Sequence, residues 1–153
     1  MSWLERRVPP PIVAIVMALA IWLLAREFPM LRTTSLTQTL LAAALALSGV
    51  AIDLAAIRAF RRAQTTVNPL RPDAATELVT SGVFRVSRNP MYVGLVLILS
   101  GVALHMGSWF GPLLILGLVL YLTRFQIVPE ERAMQALFGD AFDRYAAQVR
   151  RWL

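Results

Sequence analysis

The stretch Ser87–Gly94, SRNPMYVG, opens the longest uncharged run of the chain. Before it the sequence is polar and rich in arginine. After it no Asp, Glu, Arg or Lys occurs until Arg124. Asn89 suits a helix N-cap and Pro90 the first helical position. The stretch therefore reads as the point where a chain leaves water and enters an apolar medium, and the rest of the sequence agrees. Of 153 residues, 58% are hydrophobic, too many for an ordinary soluble domain of this size. A bilayer core takes roughly 20 apolar residues per helix. Residues 9–25 make one span, too long for a simple signal peptide and with no small-residue cleavage site after it. Residues 33–52 make a second, continuing past Asp53 to about 57. The run from 89 to 123 is too long for one crossing. Its middle, His105–Pro112, holds small residues, a proline and Trp109, which mark a turn. Two further spans follow, about 90–104 and 110–128. The expected fold is all-α and polytopic in the membrane. It has about four transmembrane helices, a polar loop over 58–89 and a C-terminal amphipathic helix over 130–152, in one membrane domain.

The basic residues are all arginine and the net charge is +6. Basic charge can mark nucleic-acid binding, but here the arginines flank apolar runs, so membrane topology explains them better. Four spans put Arg6, Arg7, Arg58, Arg61, Arg62, Arg71, Arg85, Arg88, Arg132, Arg144, Arg150 and Arg151 on one side. Only Arg26 and Arg32 fall on the other. The positive-inside rule then places both termini and the long loop in the cytoplasm, as for a bacterial inner-membrane protein. That topology brings SRNPMY and the later VPEER, Val128–Arg132, to the same membrane face.

Several chemistries are excluded. There is no cysteine, hence no disulfide and no thiolate ligand or nucleophile. A lone histidine, His105, gives no basis for a metal cluster. No dinucleotide fingerprint or P-loop is present, and the segments between the apolar runs leave no room for a separate soluble nucleotide-binding domain. Helix ends and loops must hold any cofactor.

Arg88 lies just before the helix start, where free N–H groups and the helix dipole favour an anion. Tyr92 is in the first turn. Together they suit a carboxylate or phosphate, although a snorkelling interfacial arginine gives the same local pattern. Glu130 and Glu131 follow Pro129 at the exit of the last span. They read either as dipole-favoured acids, with Arg124 as an ion-pair partner for Glu131, or as ligands of a cationic or hydroxyl-bearing group opposite Arg88. Asp53 is the one acid well inside a span, within reach of Arg58 or Arg61 as structural partners. From Glu130 onward, Met134, Leu137, Phe138, Ala141, Phe142, Tyr145, Val149 and Trp152 recur at helical spacing, which suggests an interfacial helix that Gly139 can break.

In this order and spacing, Arg88-Asn89-Pro90-Met91-Tyr92, an apolar hairpin and the Glu130–Glu131 pair resemble the isoprenylcysteine carboxyl methyltransferase family. These integral-membrane enzymes share their C-terminal half with the phospholipid N-methyltransferases. The likeness runs from about Thr65 to Trp152 and includes the approach TTVNP. Asn89 stands where eukaryotic members have histidine, which argues against an acid–base role at that position. The resemblance implies S-adenosylmethionine as methyl donor and S-adenosylhomocysteine as product. It implies a lipophilic small molecule or prenylated substrate as acceptor, membrane lipids as surroundings, and neither nucleic acid nor metal. Arg88, Glu130 and Glu131 are the candidate catalytic residues. Arg88, Asn89, Pro90, Tyr92, Glu130 and Glu131 are the candidate cofactor-binding set. Methylation of a carboxylate is the first reading and N-methylation of a phospholipid or other lipophilic amine the second. A small four-helix transporter, a membrane reductase using a nicotinamide cofactor and a non-catalytic scaffold are the rivals.

Overall fold

The computed structural model describes residue 5 and residues 8–28, 35–64 and 76–153. Arg6, Arg7, Arg32, Arg71 and the stretch 65–69 lie outside them. Among the described residues the chain is helical and has no strand. The helices are α1 (Pro10–Glu27), α2 (Leu36–Arg62), α3 (Pro90–His105), α4 (Gly111–Leu122), α5 (Val128–Phe138) and α6 (Asp140–Gln148). Among the described residues, three helical segments are long and apolar enough to cross a membrane: Pro10–Glu27, Leu36–Arg62 and the continuous rod Gly111–Phe138. The apolar α3, of 16 residues, is shorter, rising about 24 Å at 1.5 Å per residue.

Local chemistry sets the helix starts. Pro10, Pro90 and Pro112 occupy first-turn positions, where the missing N–H costs nothing and φ is already helical. Ser35 caps α2 by accepting from the Gln38 N–H at 3.1 Å. At the other end of α2, Arg61 and Arg62 complement the negative end of the helix dipole. Large apolar side chains such as Ile15, Leu19, Leu40, Leu47, Leu54 and Leu116 point outward. That is the reverse of a soluble protein and suits helices solvated by lipid.

Helix α3 packs along α2 through glycine. A Cβ on Gly49 would sit 2.5 Å from the Gly94 carbonyl oxygen, and one on Gly101 would sit 2.6 Å from the Ala42 carbonyl oxygen. Small residues let backbones approach where no hydrophobic force drives helices together. The Gln38 side-chain amide locks the pair at one end, donating to the Leu104 carbonyl at 2.6 Å. Gly101→Val is expected to destabilise the fold by about 1–3 kcal/mol, because the rigid Ala42 and Ala46 backbone cannot give way. A thermal melt in detergent measures this.

The helix from Gly111 does not end near residue 128, where the sequence reading places the membrane exit. It widens into a single π-turn over Thr123–Ile127 and continues as α5 to Phe138. The widening lies directly before Pro129, whose ring would crowd the carbonyl of residue 125 in a regular helix. Both chain ends brace this turn. The Gln126 amide donates to the Val8 carbonyl at 2.7 Å, and the Trp152 indole N–H donates to the Thr123 hydroxyl at 3.1 Å.

The expected helix over 130–152 is therefore divided. Its first part is the extension of the rod. Gly139, at φ +48°, turns the chain, and α6 follows with Phe142 and Tyr145 buried. Val149 is extended and ends the helix. The tail crosses back to the start of α3, so Glu5, Arg88, Glu131 and Arg151 collect at one end of the bundle.

Candidate functional site

At that end lies a cavity of about 320 Å³, bounded by Pro10, Asp53, Phe60, Glu77, Val79, Phe84, Arg88, Asn89, Pro90, Met91, Tyr92, Leu95, Glu130, Glu131, Met134, Phe142 and Tyr145 among others. Its walls are mostly apolar, with a few converging polar groups, the usual make-up of a small-molecule pocket. All six residues selected from the sequence line it, although they come from two segments some forty positions apart.

The start of α3 holds the first group. Before it, the 3-10 turn Gly82–Arg85 places Phe84 in a small core with Ala56 and Val79. The Phe84 carbonyl accepts from the Tyr145 hydroxyl at 2.7 Å. Burial pushes the Tyr145 phenol up to about 12, while the nearby Arg88 cation pulls the other way. Tyr145 therefore stays a neutral donor at physiological pH. Tyr145→Phe is expected to lose about 1 kcal/mol of stability, read from a denaturation midpoint.

Asn89 does not cap α3. It sits at the cap position, but its side chain makes no capping bond. Its amide instead donates to the Arg151 carbonyl at 2.9 Å. The Ser87 hydroxyl accepts from the Asn89 N–H at 3.0 Å, and the Arg88 N–H donates to the Arg150 carbonyl at 3.0 Å. The Arg88 and Asn89 N–H groups are therefore engaged within the chain and not open to an anion. The anion-seeking group at this end is the Arg88 side chain.

Arg88 and Glu131 are mostly buried and form an ion pair at 3.2 Å. Glu131 also receives Arg151, whose Nε lies 3.1 Å from both carboxylate oxygens and whose Nη2 lies 2.6 Å from Oε2. These bonds raise the Arg151 pKa above its ordinary value. Glu131 is thus a carboxylate held between two guanidinium groups. Arg124, its ion-pair partner in one of the alternative readings, pairs instead with Glu5 at 3.1 Å, and Arg132 joins the same Glu5 at 2.9 Å. The buried Nε of Arg88 has no acceptor among the described residues.

Glu130 points elsewhere. One of its oxygens accepts from the Tyr92 hydroxyl at 2.5 Å, linking α5 to α3 across the cavity. Asp53 contributes a further carboxylate from α2. It does not pair with Arg58 or Arg61. Its buried Oδ1 has no hydrogen-bond partner among the described residues, and it packs where a side chain on Gly94 would fall. No cluster of His, Cys, Asp and Glu able to hold a metal ion occurs among the described residues. His105 lies at the far end of α3.

Sequence reasoning missed Arg151, Ser87, Phe84 and Tyr145 as parts of this cluster. The burial of Tyr145 follows from the periodicity of the tail. No local signal marks Arg151, which reads as one of many membrane-flanking arginines.

The site includes residues that could hold S-adenosylmethionine. Arg88, a cation in the cavity wall, matches a carboxylate. Glu130 and Tyr92 match an ammonium or ribose hydroxyls. The cavity volume is near the lower end of the about 300–1,000 Å³ typical of ligand pockets.

Comparison with known proteins adds the family. A phospholipid methyltransferase family model matches residues 37–141, more than half of the chain, from within α2 to the start of α6. An uncharacterised protein of Haemophilus influenzae is 40% identical over 63 residues, covering 41% of this chain and the whole of that relative. No solved structure matches. The match does not single out the isoprenylcysteine carboxyl methyltransferases that the motifs resemble. The family it identifies is their relative through the C-terminal half, and the chain belongs to that phospholipid methyltransferase family, a group of membrane methyltransferases acting on lipophilic substrates.

Proposed function

We propose that the protein transfers a methyl group from S-adenosylmethionine to a lipophilic acceptor at the cavity between α2, α3, α5 and α6. The observation that carries this is the convergence of Arg88, Tyr92, Glu130 and Glu131 on one mostly apolar cavity at the end of a lipid-facing bundle. Arginine counting supports a cytoplasmic position for this end, in a bacterial inner membrane, with both termini on the same side.

The cofactor, when bound, supplies an electrophilic methyl group on a sulfonium. The chain's own residues orient and exclude. Arg88 binds the methionyl carboxylate, and Glu130, braced by Tyr92, takes the ammonium or ribose. Asn89 and Pro90 shape the turn that presents Arg88. The apolar walls from Met91, Leu95, Met134 and Phe142 keep water out and admit the acceptor from the lipid side. Alignment and water exclusion are the main contributions such a site makes to methyl transfer.

Two acceptor classes fit. A carboxylate of isoprenylcysteine type needs no general base. An amine, as in a phospholipid headgroup, must first lose a proton. The position of Asp53 favours the amine. A carboxylate in the cavity wall repels an anionic acceptor, attracts an ammonium and can take its proton. The test is transfer of labelled methyl from S-adenosylmethionine by the purified protein, to phosphatidylethanolamine vesicles and to a prenylated cysteine analogue in parallel. Label in the lipid that survives mild base identifies N-methylation. Label released as methanol identifies a methyl ester. Transfer to neither, with no cofactor binding, contradicts the proposal.

A further inference from the structure

The dipeptide Arg150–Arg151 touches both halves of the cavity wall at once. Its two carbonyls receive the Arg88 N–H, the Asn89 amide and the Ser87 hydroxyl. Its second guanidinium grips both oxygens of Glu131. The next residue, Trp152, is pinned to Thr123 in the π-turn that leads into α5. The tail thus fixes the start of α3 against α5 at the point where the site residues meet. These residues lie beyond the segment matched to the family, which ends at 141.

We propose that Arg151 is a positioning residue for cofactor binding, acting on Arg88 through Glu131. The inference rests on the reading of the cavity as an S-adenosylmethionine site. A carboxylate touched by a single arginine can rotate about its terminal bond. Held by Nε and Nη2 of Arg151, Glu131 keeps one orientation, and Oε1 meets Arg88 Nη1 at 3.2 Å. Arg88 then has one nitrogen committed and its plane fixed, so its remaining donors face one direction. The planar two-pronged fork is the property used, and lysine lacks it. An arginine serving only as a membrane-flanking charge needs no fork, and lysine replaces it without loss.

The test uses the full chain in one detergent, with S-adenosylmethionine as the titrated probe. Arg151→Ala is expected to weaken binding about tenfold, the scale on which contacting neighbours couple. Arg151→Lys, which keeps charge and tail packing, is expected to recover less than half of that loss in logarithmic terms. Added guanidinium ion is expected to restore affinity in Arg151→Ala and to leave the wild type unchanged. Combining Arg151→Ala with Arg88→Ala is expected to cost little more than Arg88→Ala alone. Full affinity in Arg151→Lys, or additive losses with no guanidinium rescue, overturns the positioning role. If Arg151→Ala does not fold, the lysine variant decides alone. A wild type that does not bind S-adenosylmethionine overturns the reading of the cavity and this role with it. A wild type that binds while both Arg151 variants bind equally well overturns this role only.

Discussion

Replacing Glu131 with Ala is expected to give the largest loss of stability of any single change at the site. The substitution leaves Arg88 and Arg151 facing each other with no anion between them. Removing one partner of a fully buried pair costs about 3–5 kcal/mol. Here the Arg151 side chain is 39% exposed and water screens part of its charge, so about 2 kcal/mol is expected. Glu131→Gln should lie between wild type and Glu131→Ala, because an amide keeps the shape but brings an N–H group against a guanidinium. A denaturation series in one detergent orders the three. Equal midpoints would show that the clasp contributes nothing and that Glu131 is an ordinary acid in the first turn of α5. Glu130→Gln should differ in kind. Its observed bond is with the Tyr92 hydroxyl, which an amide oxygen can still accept, so binding should suffer more than folding.

That separation of the two glutamates shows where the sequence was legible and where it was not. Local chemistry was readable. Pro90 marks the start of α3 by a rule that acts within one turn. The uncharged run after Asn89 and the glycines around 107–111 mark the hairpin. The meeting of the Arg88 and Glu130 segments followed from counting spans and arginines, a global constraint but a simple one.

What required the structure depends on pairs far apart in the chain. The last span read as ending near residue 128, where Pro129 and the Glu130–Glu131 pair follow the apolar run. The wide turn before Pro129, braced by Val8 and Trp152, lets the rod continue instead. Asn89 read as a cap because asparagine commonly is one. The carbonyl of Arg151, some sixty residues away, takes its amide. Arg151 itself was one arginine among many until the tail's path placed it on Glu131. Asp53 was expected to find an arginine on its own helix. It faces the cavity instead, because the glycine at 94 lets α2 and α3 approach closely enough to leave the carboxylate there.

Arg88→Ala is expected to give the largest loss of cofactor affinity. A charged hydrogen bond contributes about 1.5–3 kcal/mol, which is roughly a ten- to hundredfold change in dissociation constant. Arg88 also helps to neutralise Glu131, so the variant should lose some stability as well. Arg151 remains in place to hold that carboxylate, and helix content should be retained. Arg88→Lys keeps charge but not the fork, and should recover part of the affinity only. A snorkelling arginine predicts the reverse, with Ala disturbing insertion and Lys substituting fully.

The most direct test of the whole account is an isothermal titration of the purified wild type, Arg88→Ala and Arg88→Lys with S-adenosylmethionine in the same detergent, with NADPH titrated in parallel. The account predicts saturable binding of S-adenosylmethionine to the wild type and none of NADPH. It also predicts a ten- to hundredfold weaker constant for Arg88→Ala and an intermediate one for Arg88→Lys. Equal affinities across the three proteins, or binding of NADPH in place of S-adenosylmethionine, would contradict it.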